Sequence, residues 1–171
     1  MVLRKILEFA LSCEGNISHN GTNIVLVLNN GRPLAIEWAS KNIPVIPEAW
    51  KLGSKSGNEI ATIETISAED VAKLAEDKEL NIFDVRKESE YLSEHVVNAR
   101  NTPLDSINDY LAEYKTEGVN YTHCAGGYRS VIANSILKSR GIHNLIDVLG
   151  GYGAIKNTEI EKTDYVCPST L

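Results

Sequence analysis

The segment Tyr121-Thr122-His123-Cys124-Ala125-Gly126-Gly127-Tyr128-Arg129-Ser130 gathers the residues of this sequence best suited to covalent chemistry. A thiol is followed by small residues, two glycines and an arginine, and then by an apolar stretch with helical spacing. The pattern predicts that Cys124 ends a strand, that a tight loop curls over it, and that a helix starts at once. In parallel sheets the carboxyl ends of strands are where ligands bind. Backbone N–H groups in such a loop lack helical partners and can turn inward toward the sulfur. Gly126 and Gly127 permit backbone angles that other residues resist, and they let the chain approach an anion closely. The positive end of the helix acts in the same direction. Surroundings of this kind favour the thiolate, which is the nucleophilic form of cysteine. They would equally hold an anionic persulfide or the sulfonate end of thiosulfate, with Arg129 adding a permanent positive charge. The plainer alternative is a buried, inert thiol beside an ordinary turn. Strand, glycines, arginine and helix in register favour the reactive one.

The elements that must position this loop alternate clearly after residue 58. Ser67 followed by Asp70 is a helix N-cap, opening a helix through Val71, Leu74 and Ala75. Residues 81–85 form a short apolar strand, 88–92 a brief helix and about 105–114 a longer one. Residues 120–123 form the strand that runs into Cys124, and 129–139 a helix with Val131, Ile132, Ile136 and Leu137 apolar and Gly141 past its end. Residues 145–149 form a further strand, ended by Gly150-Gly151. Strands alternating with helices imply an α/β fold, with a central parallel sheet flanked by helices on both faces.

The first 58 residues read differently. Gly53-Ser54-Lys55-Ser56-Gly57-Asn58 has a linker composition. Before it, residues 23–28 form a buried-strand pattern and 29–33 a turn; 34–40 look helical, and 44–46 suggest another short strand. Such a unit is too small to bury its own core, so it must pack on the second part, dimerise, or be the tail of a larger domain. The expected division is therefore 1–58 and 59–171.

Composition sets the outer limits. The 171 residues are 43% apolar and 23% charged, ordinary for a globular protein. A net charge of −6 with no basic cluster argues against nucleic acid or an anionic membrane surface as partner. No apolar run approaches the ~20 residues of a membrane span. The opening MVLRKILEFALSCEGN is broken early by Glu8 and lacks a small-residue cleavage site, so it reads as an amphipathic helix rather than a signal peptide. Three widely spaced cysteines, Cys13, Cys124 and Cys167, suit a reducing compartment, with the cytoplasm as the default. His19, His95, His123 and His143 show no ligand spacing with the cysteines, and no nucleotide-binding glycine loop is present. The expectation is no metal and no cofactor.

Cys124-Ala125-Gly126-Gly127-Tyr128-Arg129 resembles the six-residue active-site loop of the rhodanese family. Asp84-Val85-Arg86 resembles that family's Asp-Val-Arg motif. Glu90-Tyr91, His95, Ala99, Asn101 and Pro103-Leu104 resemble its E-Y/F…G-H-I-x-G-A-x-N-I-P segment, and Asp147-Val148-Leu149-Gly150-Gly151 its closing D-V-x-G-G. The match covers about residues 60–157, with Glu94 and Asn98 standing where the family usually has glycine, and Thr102 in place of the common isoleucine.

The resemblance implies a sulfurtransferase in which Cys124 takes sulfane sulfur and the Ala125, Gly126, Gly127, Tyr128 and Arg129 loop cradles it. Asp84 and Arg86 would be a buried scaffold pair behind the loop, and His95 a packing and hydrogen-bonding residue. His123, adjacent to Cys124 on a strand, should face the opposite side of the sheet. Tyr128 would help shape the substrate mouth, and Cys167, near the tail, reads as incidental rather than as a resolving thiol. The expected partners are a small-molecule sulfur donor, thiosulfate or a persulfide such as glutathione persulfide, and a thiol or cyanide-like acceptor. A homodimer is a further expectation.

Two rival functions share this scaffold. Cysteine-dependent phosphatases and arsenate reductases carry five residues between Cys and Arg, whereas four stand here, which favours sulfur over a tetrahedral oxyanion. A non-catalytic rhodanese-like binding module typically lacks the cysteine, which is present. The short, cysteine-less stretch before residue 58 also resembles a partial, degenerate rhodanese-like repeat. It suggests the C-terminal portion of a fusion with a metallo-β-lactamase-fold hydrolase or persulfide dioxygenase.

Overall fold

The computed structural model describes residues 15–19, 24–28, 33–35 and 60–167. Five strands form a fully parallel sheet: β5 (Glu64–Ile66), β6 (Asn81–Asp84), β7 (Arg100–Asn101), β8 (Asn120–His123) and β9 (Leu145–Val148), in the order β5-β9-β8-β6-β7. The strand that leads into Cys124 is central, with β9 on one side and β6 on the other. All four of its residues are buried, and Asn120 pins its start by donating from its side chain to the Tyr114 carbonyl at 2.8 Å.

Two apolar clusters, one for each face, follow from the period-2 alternation of strands. Helix α1 (Ala68–Asp77) and helix α4 (Gly151–Ile155) cover one face, where Val71, Ile82, Tyr121, Val148, Tyr152 and Ile155 pack. Helix α3 (Tyr128–Ser139) and a 3-10 helix, Leu104–Tyr110, cover the other with Phe83, Ile107, Tyr114, Cys124, Val131 and Leu137. Helix α2 (Glu88–Ser93) sits beyond the end of β6. The expected parallel sheet with helices on both faces is thus present. Among the described residues no helix is long and apolar enough to cross a membrane.

Local signals account for most boundaries. The Ser67 hydroxyl accepts the Asp70 N–H at 3.1 Å, as its cap position implied. Helix α3 ends with the Gly141 and Ile142 N–H groups donating to the Lys138 and Leu137 carbonyls at 3.0 and 3.1 Å. The helix expected over 105–114 differs: the chain is 3-10 over Leu104–Tyr110 and breaks from helical angles at Ser106. Packing of Leu104 and Ile107 against the core, and of Tyr114 against Phe83 with ring centroids at 4.1 Å, fixes that segment rather than helical periodicity.

The N-terminal residues form a second sheet from β1 (Gly15–His19), β2 (Ile24–Leu28), β3 (Pro33–Ala35) and β4 (Ile60–Thr62), in the order β3-β2-β1-β4. β1, β2 and β3 are antiparallel neighbours, and β4 runs parallel to β1. The strand expected at 23–28 is present. The helix expected over 34–40 gives way to strand at its first residues, because Leu34 and Ala35 pair with Leu26 and Val25 of β2. The short strand expected at 44–46 and the linker at 53–58 lie outside the described residues. β1 and β2 lie against α3. The chain leaves this sheet through β4, buries Ile63, and enters the parallel sheet as β5.

Candidate active site

Cys124 lies where β8 ends, and only 1% of its surface is exposed. Gly127, at φ 93°, turns the chain into α3 as its N-cap. That turn aims the Gly127 N–H at the Cys124 Sγ at 3.2 Å. The buried Ser130 hydroxyl, in the first turn of α3, donates to the same sulfur at 3.7 Å. Two donors therefore converge on one sulfur at a helix N-terminus, an arrangement that stabilises negative charge there. Ala125 and Gly126 are exposed, while Tyr128 is partly buried against the core cluster that contains Cys124.

The loop's carbonyls are taken up from behind. Tyr152 and Gly153, in the first turn of α4, donate their N–H groups to the Cys124 and Ala125 carbonyls at 2.6 and 2.9 Å. Gly151 makes this possible: its φ is +56°, and a Cβ there would stand 2.3 Å from the Cys124 carbonyl oxygen. With those carbonyls bound outward, the Gly127 N–H is left facing the sulfur. In the sequence Gly150-Gly151 reads as a strand end and as the close of the D-V-x-G-G resemblance, and neither reading discloses its support of the loop or the Ser130 hydroxyl on the sulfur. The signal available was the position of Gly151, in a paired glycine following the last strand.

Arg129 does not stand free over the loop. Its guanidinium holds the Glu90 carboxylate in a two-point pair at 2.6 and 2.9 Å, clamping α3 to α2. That pair drives the Glu90 carboxyl below its ordinary value and raises Arg129. The Arg129 charge therefore borders the loop while being balanced by Glu90.

Asp84 and Arg86 form the buried pair anticipated. Arg86 Nε lies 3.0 and 2.9 Å from the two Asp84 oxygens and Nη2 2.6 Å from one, while the Arg86 N–H also donates to Asp84 at 2.9 Å. The guanidinium reaches the Glu94 carbonyl at 2.8 Å and lies 4.0 Å over the Tyr152 ring. This ties the pair to the helix that backs the loop. The Asn101 side chain donates to the Asp84 and Arg86 carbonyls at 2.9 and 3.1 Å.

His123 faces away from the loop interior, stacking toward Tyr152 at 6.0 Å with its Nδ1 3.9 Å from Asp84. Burial lowers its pKa, with Asp84 opposing the shift. His95 stacks on Tyr91 at 3.7 Å and its Nδ1 meets the Tyr91 carbonyl at 2.7 Å. Its backbone pairs with Thr163, where a C-terminal strap docks: the His95 and Thr163 N–H groups are each bonded across, and Val166 bonds Ser93. His95 is thus held between Tyr91 and Thr163, and the strap is a feature that the sequence did not disclose. Cys167 ends this strap, exposed.

The two departures from the family's glycines also resolve. Asn98 has φ 65°, a left-handed angle that asparagine tolerates better than most residues. Glu94 has φ −170°, extended backbone that needs no glycine. Among the described residues, no group of three or more His, Cys, Asp or Glu is placed to hold a metal ion.

Comparison with known proteins agrees with this geometry. The family described as Rhodanese-like domain matches residues 67–158. A Bacillus subtilis (strain 168) protein named "Putative sulfur carrier protein YrkF" is 31% identical over 102 residues, 59% of this chain and 55% of that protein. The tRNA uridine(34) hydroxylase of Buchnera aphidicola subsp. Baizongia pistaciae (strain Bp) is 31% identical over 93 residues, 50% of this chain and 30% of that one. The chain thus spans about half or less of the length of these two curated relatives. The crystal structure of a rhodanese-like domain protein from Staphylococcus aureus is 32% identical, covers 58% of this chain and 97% of its own, and superposes with a TM-score of 0.52. With motifs, loop geometry and family match in agreement, the chain belongs to the rhodanese-like domain family.

Proposed function

We propose that the protein is a sulfurtransferase that carries sulfane sulfur on Cys124. The observation that supports this best is the convergence of the Gly127 N–H and the Ser130 hydroxyl on the Cys124 sulfur. Those donors stabilise a thiolate before reaction and a terminal persulfide anion after it. With thiosulfate as donor, the Cys124 thiolate attacks the outer sulfur; the S–S bond breaks and sulfite leaves with the electron pair. The acceptor, a thiol or cyanide, then attacks the outer sulfur of the Cys124 persulfide and the thiolate returns. No general base is required, and neither His95 nor His123 is directed at the sulfur. Asp84, Arg86 and Gly151 hold the loop from behind.

The phosphatase reading is disfavoured by the loop of four intervening residues and by Arg129 being engaged with Glu90 rather than open to an oxyanion. A binding-module reading leaves the two donors on the sulfur without a purpose. Intact-protein mass spectrometry after incubation with thiosulfate or glutathione persulfide tests the proposal. Gain of one sulfur atom, removed by cyanide and absent in Cys124→Ser, is the expected result. No adduct from either donor would refute it.

A further inference from the structure

At the end of the parallel sheet where β6 begins lies a groove of about 190 Å³, between the last turn of α1, residues 96–98 and residues 159–161. The register of Asn81 with Asn120 puts Cys124 four residues, about 13 Å, further along the strands. The groove is therefore remote from the sulfur. Ala72, Ala75, Leu80, Ile82, Val96 and Ile160 form its floor, all from the apolar cluster on the sheet face that Cys124 does not share. Its volume is below the roughly 300–1,000 Å³ of pockets that enclose a whole organic ligand. It suits one long side chain entering from the surface.

The rim is unevenly charged. Glu76, Glu79, Glu159 and Glu161 line the groove and are exposed, with Lys78 the one cation among its lining residues. None of the four carboxylates forms an ion pair with a described residue. Helix α1 sharpens the imbalance. Its C-terminus is the negative end of the helix dipole, where a cation is favoured. Yet its last turn carries Glu76 and Asp77 and no basic residue. A charge choice that works against local stability is expected where a surface serves a partner.

We propose that this groove docks a basic, extended segment of a partner protein, one arginine laying its stem along the floor with its guanidinium among the glutamates. An arginine buries its methylenes on apolar surface while its charged head stays at the rim. Its planar fork pairs with carboxylates at two points and is more weakly hydrated than an ammonium. Carboxylates spread over α1 and residues 159–161, around room for a single side chain, match cations repeated along a chain. A segment docked here leaves the Cys124 loop open, so the surface would hold a partner without blocking the thiol. The inference does not depend on sulfur transfer and stands or falls separately from it.

The test titrates the peptide acetyl-Arg-Ala-Arg-Ala-Arg-amide into the ¹⁵N-labelled full chain at physiological ionic strength, with amide NMR shifts as the readout. Shifts should concentrate at Ala75, Glu79, Leu80, Val97, Asn98 and Glu161 and spare the Cys124 loop. An exposed ion pair contributes up to about fivefold to binding, so Glu79→Gln with Glu161→Gln should weaken it by about tenfold. Asp109→Asn with Glu113→Gln removes the same charge from exposed residues on the opposite face. That pair should change the affinity by less than about twofold, because charges beyond the ~8 Å Debye length are screened. Shifts scattered over the acidic surface, equal loss in the two double variants, or no shift at all would overturn the inference. So would spermidine occupying the same residues more tightly than the peptide, which would make the groove a site for a small polycation.

Discussion

Gly151→Ala tests whether the closing glycine pair serves the active-site loop. An alanine at φ +56° occupies the left-handed region, at a cost of about 1–2 kcal/mol for an L residue. Its Cβ would stand 2.3 Å from the Cys124 carbonyl oxygen and 2.9 Å from the Ala125 carbonyl carbon. Both are backbone atoms, so no side-chain rotation relieves the contact, and the loop and α4 must separate. Separation breaks the 2.6 Å Tyr152-to-Cys124 and 2.9 Å Gly153-to-Ala125 hydrogen bonds, each worth about 1 kcal/mol net. The sum is about 3–4 kcal/mol, a large fraction of the 5–15 kcal/mol that ordinarily separates folded from unfolded chains. At about 2–4 °C per kcal/mol for a chain of this size, Tm should fall by about 10 °C. Because the displaced atoms are the Cys124 and Ala125 backbone, sulfur loading should slow as well, even below the transition. Gly126→Ala is the control: nothing lies within 4 Å of the added Cβ and no positive φ is required. Thermal unfolding with intact-mass loading rates at 25 °C reads both effects. A Gly151→Ala protein matching the native chain in Tm and loading rate would refute the reasoning.

Other predictions follow from the charged and buried groups. Arg86→Leu leaves Asp84 buried without its partner and should cost about 3–5 kcal/mol in urea unfolding. Glu90, held below its ordinary value of 4.5 by Arg129, contributes stability above that pH, which is lost as the pH falls through its lower folded value. Glu90→Gln should therefore flatten the acid limb of a stability–pH profile below about 4.5, and an unchanged limb would show the clamp to be inert. His123, whose pKa burial lowers from 6.5, is neutral in the fold while the unfolded chain protonates. Stability should thus be full above pH 6.5 and decline below it, and His123→Phe should remove that slope in urea titrations carried below pH 6.5.

The sequence by itself determined the chemistry-bearing segment and the frame around it. A strand pattern running into Cys124, two glycines and a helix with apolar period are local signals, and local physics fixes them. The alternation of strands and helices likewise fixed a parallel sheet, and the alternation along β8 placed His123 and Cys124 on opposite faces. Tertiary structure decided the rest, because it concerns partners distant in the chain. Arg129 is paired with Glu90, 39 residues away, so its charge is balanced rather than open. Gly151 matters because α4 returns against the Cys124 carbonyl, a contact that no local window contains. The 3-10 path of Leu104–Tyr110 answers to core packing, the strand at Pro33–Ala35 to pairing with β2, and the C-terminal strap to hydrogen bonds with residues 93–97. Each is a choice among conformations that are locally near-equal in free energy, and only the assembled neighbours tip it.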